Sequence, residues 1–188
     1  CMVVFLVLVG MLLGGRSAQA QELTDVLVPG AWTKLSGNPV LSVGSPGSWD
    51  DYFAFSPSVL LDGTTYKMWY AGSSAADPTR RIGYATSSDG ITWMRQGSAP
   101  VFSSDPLGSW DEKISFPSVI KDGTTYKMWY TGINASNAGQ IGYATSPDGV
   151  IWTRYSANPV LSFGTGGTWD AAYIGSPNVV KVGSQFHM

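Results

Sequence analysis

Three short segments of this 188-residue chain carry residue types that can move protons between oxygens: WDDYFAFSP from Trp49, WDEKISFPS from Trp110 and WDAAYIGSP from Trp169. The position after each Trp-Asp reads Asp51, Glu112 and Ala171. Two carboxyls facing one pocket cleave glycosidic bonds. One protonates the leaving oxygen, and the other attacks or activates water, at separations of about 5–5.5 Å for retention and about 6.5–9.5 Å for inversion. Asp51 as base and Glu112 as acid fill these roles if the segments converge. Phe53, Phe55 and Phe116 would then raise the acid's pKa by desolvation. Exposed loop carboxylates of ordinary acidity are the competing expectation. Tyr52, Phe53 and Tyr173 suit stacking on sugar faces, with core packing as the alternative. Lys113 and Tyr173 suit hydrogen bonds to hydroxyls, with plain surface as the alternative. The Trp-Asp pairs themselves (Trp49-Asp50, Trp110-Asp111, Trp169-Asp170) recur in every segment. Recurrence assigns them to the scaffold, Trp packing between repeats and Asp accepting backbone N–H bonds. A ring of carboxylates is the other reading.

These segments precede a repeat that positions them. Between 56–72 and 116–132 only four of seventeen positions differ, and a third copy begins at Ser176, so prolines fall at 57, 117 and 177. Self-similarity at a fixed step marks a repeat architecture. Each repeat reads as four strands: Pro57–Leu61, Thr65–Ala71, Arg81–Thr86 and Ile91–Arg95, then Pro117–Lys121, Thr125–Thr131, Gln140–Thr145 and Val150–Arg154. Asp62-Gly63, Asp89-Gly90, Asp122-Gly123 and Asp148-Gly149 are hairpin turns, with positive φ expected at both turn positions. A four-stranded unit of this size cannot bury both faces alone, and radial stacking resolves that. The predicted fold class is therefore all-β, a β-propeller. Its parts are a closing outermost strand at 31–37, one blade at 56–95, a second at 116–154 and the start of a third at 176–188, all within a domain spanning 21–188. Two and a half blades cannot close a ring, so the expectation is an N-terminal portion of a five-bladed propeller. Turns between strands alternate between two faces, and the face with unlike loops is where a site belongs. That puts it at 51–56, 112–116 and 171–176.

Composition narrows the class. The chain is 44% hydrophobic and 13% charged with a net charge of −2, so it lacks the basic surplus that a phosphate backbone demands and nucleic acid is not an expected partner. The apolar run 2–13 followed by Ala18-Gln19-Ala20 reads as a signal peptide over 1–20, too short to span a bilayer. The expectation is a secreted or periplasmic bacterial protein, monomeric, with no membrane association after cleavage and no disulfide. No zinc spacing, phosphate loop or nucleophile elbow is present, so no cofactor is expected; whether a cation sits on the axis stays open. The single histidine, His187, takes the strand slot of Lys67 and Lys127 and reads as solvated.

Ser87–Trp93 resembles the Asp-box of sialidases, one residue short, a structural hairpin remote from catalysis. The larger pattern is Pro-Ser-Val-x-x-Asp-Gly-x-x-Tyr-x-x-Trp-Tyr-x-Gly, then Ile-Gly-Tyr-Ala-Thr-Ser-x-Asp-Gly-x-x-Trp and Asn-Pro-Val-Leu. It resembles the five-bladed propeller glycosidases: the arabinanase–xylosidase and invertase–levansucrase families and related mannoside phosphorylases. The resemblance covers about 31–188 and implies a carbohydrate substrate and acid/base chemistry in the funnel. Arabinanase-like members place a general-base Asp directly before the first-strand Pro; here Ser56, Phe116 and Ser176 occupy that position. Of the two glutamates, Glu22 and Glu112, only Glu112 is placed to serve as the acid. A non-catalytic carbohydrate-binding propeller and a phosphorylase using Lys113 or Arg80 for phosphate are the alternatives.

Overall fold

The computed structural model describes residues 34–188. The chain divides between Asn38 and Pro39. In the first unit, residues 34–38 form a turn in which the Asn38 N–H donates to the Leu35 carbonyl (3.2 Å). They carry no strand, and the rest of the expected closing strand, like the signal segment 1–20, lies outside the described residues.

The second unit is all-β. One antiparallel sheet contains β1 (Phe53–Asp62), β2 (Thr65–Ser73), β3 (Arg81–Ser87) and β4 (Met94–Arg95) in that order. A second repeats it with β5 (Lys113–Asp122), β6 (Thr125–Ile133), β7 (Gly139–Ser146) and β8 (Thr153–Arg154). The hairpin β9 (Val180–Val182) and β10 (Gln185–His187) begins a third repeat.

The innermost strands start earlier than their prolines suggested. A proline cannot donate to a ladder, but a bulge can absorb it. The register breaks between Phe55 and Ser58 and again between Ser115 and Ser118, and β1 and β5 continue on both sides. The outermost strands are shorter than expected because an aspartate competes for their backbone. Asp89 Oδ1 accepts the N–H groups of Ile91 (2.8 Å) and Thr92 (2.7 Å), and Asp148 treats Val150 and Ile151 alike. The inner hairpins turn on Gly63-Thr64, not Asp62-Gly63. Only the glycine has positive φ (+62°), the pattern of a type II′ turn. Asp62 is therefore the last strand residue, and its carboxylate is released for long-range pairing.

The sheets pack flank to flank. Trp69, Ile82 and Phe102 of the first repeat meet Ile114, Met128 and Tyr130 of the second in one core. Trp69 is fully buried and donates its Nε1–H to the Gly149 carbonyl across the seam (2.7 Å). The innermost strands are tied by hydroxyls: the Val119 N–H donates to Ser58 Oγ (2.9 Å) and the Val179 N–H to Ser118 Oγ (3.0 Å). At the turn end, Asp62 accepts from Lys67 of its own sheet (2.8 Å), Lys121 of the next sheet (2.6 Å) and the Tyr126 hydroxyl. Asp122 repeats the clamp with Lys127 (2.7 Å) and Lys181 (2.5 Å).

The first two Trp-Asp pairs are scaffold, whereas Trp169 of the third does not pack between repeats as expected but stands 95% exposed, with only the β9–β10 hairpin following it among the described residues. Trp49 lies against Gly72 and Gly83, where added Cβ atoms would come within 2.8 and 2.7 Å of its ring. Trp110 does the same over Gly132 and Gly142 and joins the core between the sheets. The aspartates take side-chain donors, not the backbone N–H groups expected of them. Asp50 accepts from Tyr70 Oη (2.9 Å) and Arg95 Nε (2.7 Å), tying the outermost strand to the second. Asp111 does so with Tyr130 and Arg154 (3.2 Å each).

Candidate functional site

The three inner segments converge on an open cleft of about 350 Å³ lined by residues 56–58, 116–118 and 176–178. At its rim stand Ser56, Phe116 and Ser176 with φ of +51°, +51° and +55°, the left-handed region that side chains other than glycine seldom enter. At Ser56 and Phe116 the bulge before the proline imposes this conformation, which costs on the order of 1–2 kcal/mol per residue. The Ser176 N–H donates to Thr131 Oγ1 of the neighbouring sheet (2.8 Å).

An aromatic path runs from the outer rim to the cleft. Tyr52 meets Phe53 edge-on at 4.5 Å between centroids, Phe53 meets Phe55 at 6.1 Å, and Phe55 meets Phe116 at 5.9 Å. Tyr52 and Phe53 remain exposed. The Arg80 guanidinium sits 5.6 Å from the Phe55 ring centroid and forms no ion pair among the described residues. Its carbonyl accepts the Ile114 N–H (3.2 Å), and the Gly139 carbonyl accepts the Ile174 N–H (3.1 Å) in the same way one repeat later. Lys113 therefore stands to Arg80 as Tyr173 stands to Gly139. Lys113 Nζ donates to Asn137 Oδ1 (3.5 Å). Burial raises the Tyr173 phenol pKa, and the nearby Arg80 charge works against that rise.

Asp51 and Glu112 take equivalent places and do one common job. Asp51 Oδ2 accepts the Gly47 N–H (2.7 Å), and Glu112 Oε1 accepts the Gly108 N–H (2.5 Å). The second oxygen of Asp51 accepts the Ala75 N–H (3.1 Å), whereas Glu112 Oε2 has no protein partner among the described residues and reaches solvent, Ser115 Oγ being the one buried side-chain polar atom left unpaired there. Sequence reasoning treated this position as a departure from repetition, but acceptance of a glycine N–H is shared by both residues. It missed Gly139 and Gly175, the two glycines that frame Tyr173. Their signal was the replacement of Arg80 by Gly139 and of Phe55 and Ser115 by Gly175. Among the described residues, no three His, Cys, Asp or Glu side chains are grouped to hold a metal.

Flank-packed four-stranded sheets around a polar cleft define the chain as part of a β-propeller. Its relatives are the five-bladed propeller glycoside hydrolases and mannoside phosphorylases. It is 32% identical over 152 residues to an uncharacterized protein of Mycobacterium tuberculosis, a match covering 74% of this chain and 49% of that protein. It is 28% identical over 112 residues to the β-1,2-mannobiose phosphorylase of Thermoanaerobacter sp., covering 53% of this chain and 36% of that one. The chain thus spans about half the length of the first of these relatives (49%) and less of the second (36%). A solved structure described as a GH130 glycoside hydrolase targeting β-1,2-mannosidic linkages in Candida mannan matches at 26% identity and TM-score 0.55, covering 65% of this chain and 39% of that one. A family 117 glycoside hydrolase from Zobellia galactanivorans matches in fold at 19% identity and TM-score 0.62, covering 71% of this chain and 46% of that one. No protein-family model matches the chain.

Proposed function

We propose that the chain is part of a propeller enzyme that cleaves glycosidic bonds of a mannose-type oligosaccharide, with inorganic phosphate as the acceptor. The observation that carries this reading is a pair of adjoining cations: Arg80 forms no ion pair among the described residues, and its carbonyl accepts the N–H of Ile114, the residue next to Lys113. Phosphorolysis needs one acid and an oxyanion site, and it needs no carboxylate base, because phosphate is itself the nucleophile. A phosphate oxygen bonds to the anomeric carbon, the glycosidic C–O bond breaks, and the leaving oxygen takes a proton from an acid. Glu112 is the acid candidate because one of its oxygens has no partner among the described residues. Similarity to a β-1,2-mannobiose phosphorylase supports the sugar class. The test is incubation of the whole protein with β-1,2-mannobiose, with and without phosphate. Phosphate-dependent release of a sugar 1-phosphate is expected.

Hydrolysis, with Asp51 activating water, is the second reading, favoured by similarity to a hydrolase of β-1,2-mannosidic linkages. Reducing-sugar release independent of phosphate would establish it. Binding without either product would instead make the propeller a carbohydrate-binding module. Export to the periplasm or medium is supported by the apolar run 2–13 and Ala18-Gln19-Ala20. The mature protein is then expected to begin at Gln21, which N-terminal sequencing reads directly.

A further inference from the structure

Two glycines, at positions where other repeats carry side chains, meet at one tyrosine. A Cβ on Gly139 would lie 2.4 Å from Tyr173 Cε2 and 2.6 Å from Cδ2, and one on Gly175 would lie 2.7 Å from Cε1 and 2.9 Å from Oη. Neither glycine has positive φ, so their backbone conformation is open to any residue. What they supply is space. Gly139 also leaves room for the Ile174 carbonyl (2.8 Å from its added Cβ), but at Gly175 the two shortest approaches are both to Tyr173. The ring is thus met along both edges while Tyr173 stays 42% exposed. Its orientation is set before any ligand arrives, which lowers the entropic cost of immobilising a side chain on binding.

Resting on the carbohydrate reading above, we propose that Tyr173 is a pre-seated stacking platform for the C–H face of a pyranose ring, with Gly175 and Gly139 as its berth. It is a specificity-determining residue, because a rigid aromatic wall accepts sugars that present a continuous apolar face and rejects those whose hydroxyls interrupt it. Lys113, the equivalent residue one repeat earlier, has no such berth because Arg80 stands where Gly139 would be needed.

The test measures dissociation constants of the whole protein for β-1,2-mannobiose and a panel of manno- and gluco-oligosaccharides by calorimetry, with thermal unfolding of each variant alongside. Tyr173→Ala is expected to raise the Kd about tenfold, and Tyr173→Phe to stay within about twofold. Gly175→Ala, by displacing the ring, is expected to raise the Kd about fivefold in the unsubstituted background and to add nothing in the Tyr173→Ala background. Unsubstituted protein that binds with unchanged affinity after Tyr173→Ala overturns the platform and leaves the carbohydrate reading standing. A Gly175→Ala effect that persists without the tyrosine overturns the berth. Failure of the unsubstituted protein to bind any oligosaccharide overturns both readings.

Discussion

Gly83 shows how far one residue can be committed by its neighbours. An added Cβ would lie 2.5 Å from Tyr70 Cζ and 2.7 Å from Trp49 Cζ2, and Tyr70 is itself fixed by Asp50. Gly83→Ala is therefore expected to destabilise by about 2 kcal/mol through overpacking, read as a lower urea midpoint with unchanged slope. The carboxylates divide by the same logic. Asp51 spends both oxygens on backbone N–H groups, whereas Glu112 spends one. Under phosphorolysis, Asp51→Asn is expected to leave kcat within about tenfold and Glu112→Gln to lower it by about a hundredfold or more. Under hydrolysis both substitutions would be severe, so the pair of kcat values separates the two mechanisms.

At the scale of the element, the proline bulge is the main deviation from a plain strand. Ser56 occupies a left-handed conformation because the chain must step around Pro57 without losing the ladder to β2. Ser56→Gly is expected to hold or raise stability by about 0.5 kcal/mol, while Ser56→Val should cost about 2 kcal/mol, since a β-branched side chain is least tolerated there. Thermal denaturation of the two variants checks both signs. Two of the four positions that distinguish 56–72 from 116–132 find their explanation across the seam. Lys121 in place of Leu61 reaches Asp62, and Thr131 in place of Ala71 accepts the Ser176 N–H. A strand is matched to its neighbour at the points where it departs from its own repeat.

At the scale of the molecule, stacked sheets are joined by apolar flanks within and charge clamps at the turn end. Lys121, then Lys67 and the Tyr126 hydroxyl, hold the Asp62 carboxyl well below the ordinary carboxylate range, and Lys127 with Lys181 lowers Asp122 to about 2. Folded-state values below the unfolded value of 3.8 mean that the clamps contribute fully above that pH and fade as pH falls toward 2. Melting temperature is accordingly expected to drop on acidification from about pH 5 to about pH 2, with a shallower drop in the Asp62→Asn, Asp122→Asn double variant. At neutral pH, Asp62→Asn alone should cost about 2 kcal/mol, because two lysines lose their shared anion. The four-stranded repeat was legible in the sequence because alternation, aromatic density and turn chemistry act between residues close in the chain. The step of 60 then required like units to stack, so the propeller class followed as well. The long strands β1 and β5 were less legible, since a bulge is stabilised by the neighbouring sheet and leaves only a proline as its trace. Of the candidate site, single residues were legible and their arrangement was not. Asp51, Glu112, Lys113 and Tyr173 were visible as residues that differ between repeats, but what each touches depends on partners 2 to 34 positions away. Residue types and their local spacing determined the fold. Only the packing of one sheet on the next decided which carboxylate keeps an oxygen free of the backbone, which arginine stands without an ion pair among the described residues, and why two glycines surround Tyr173.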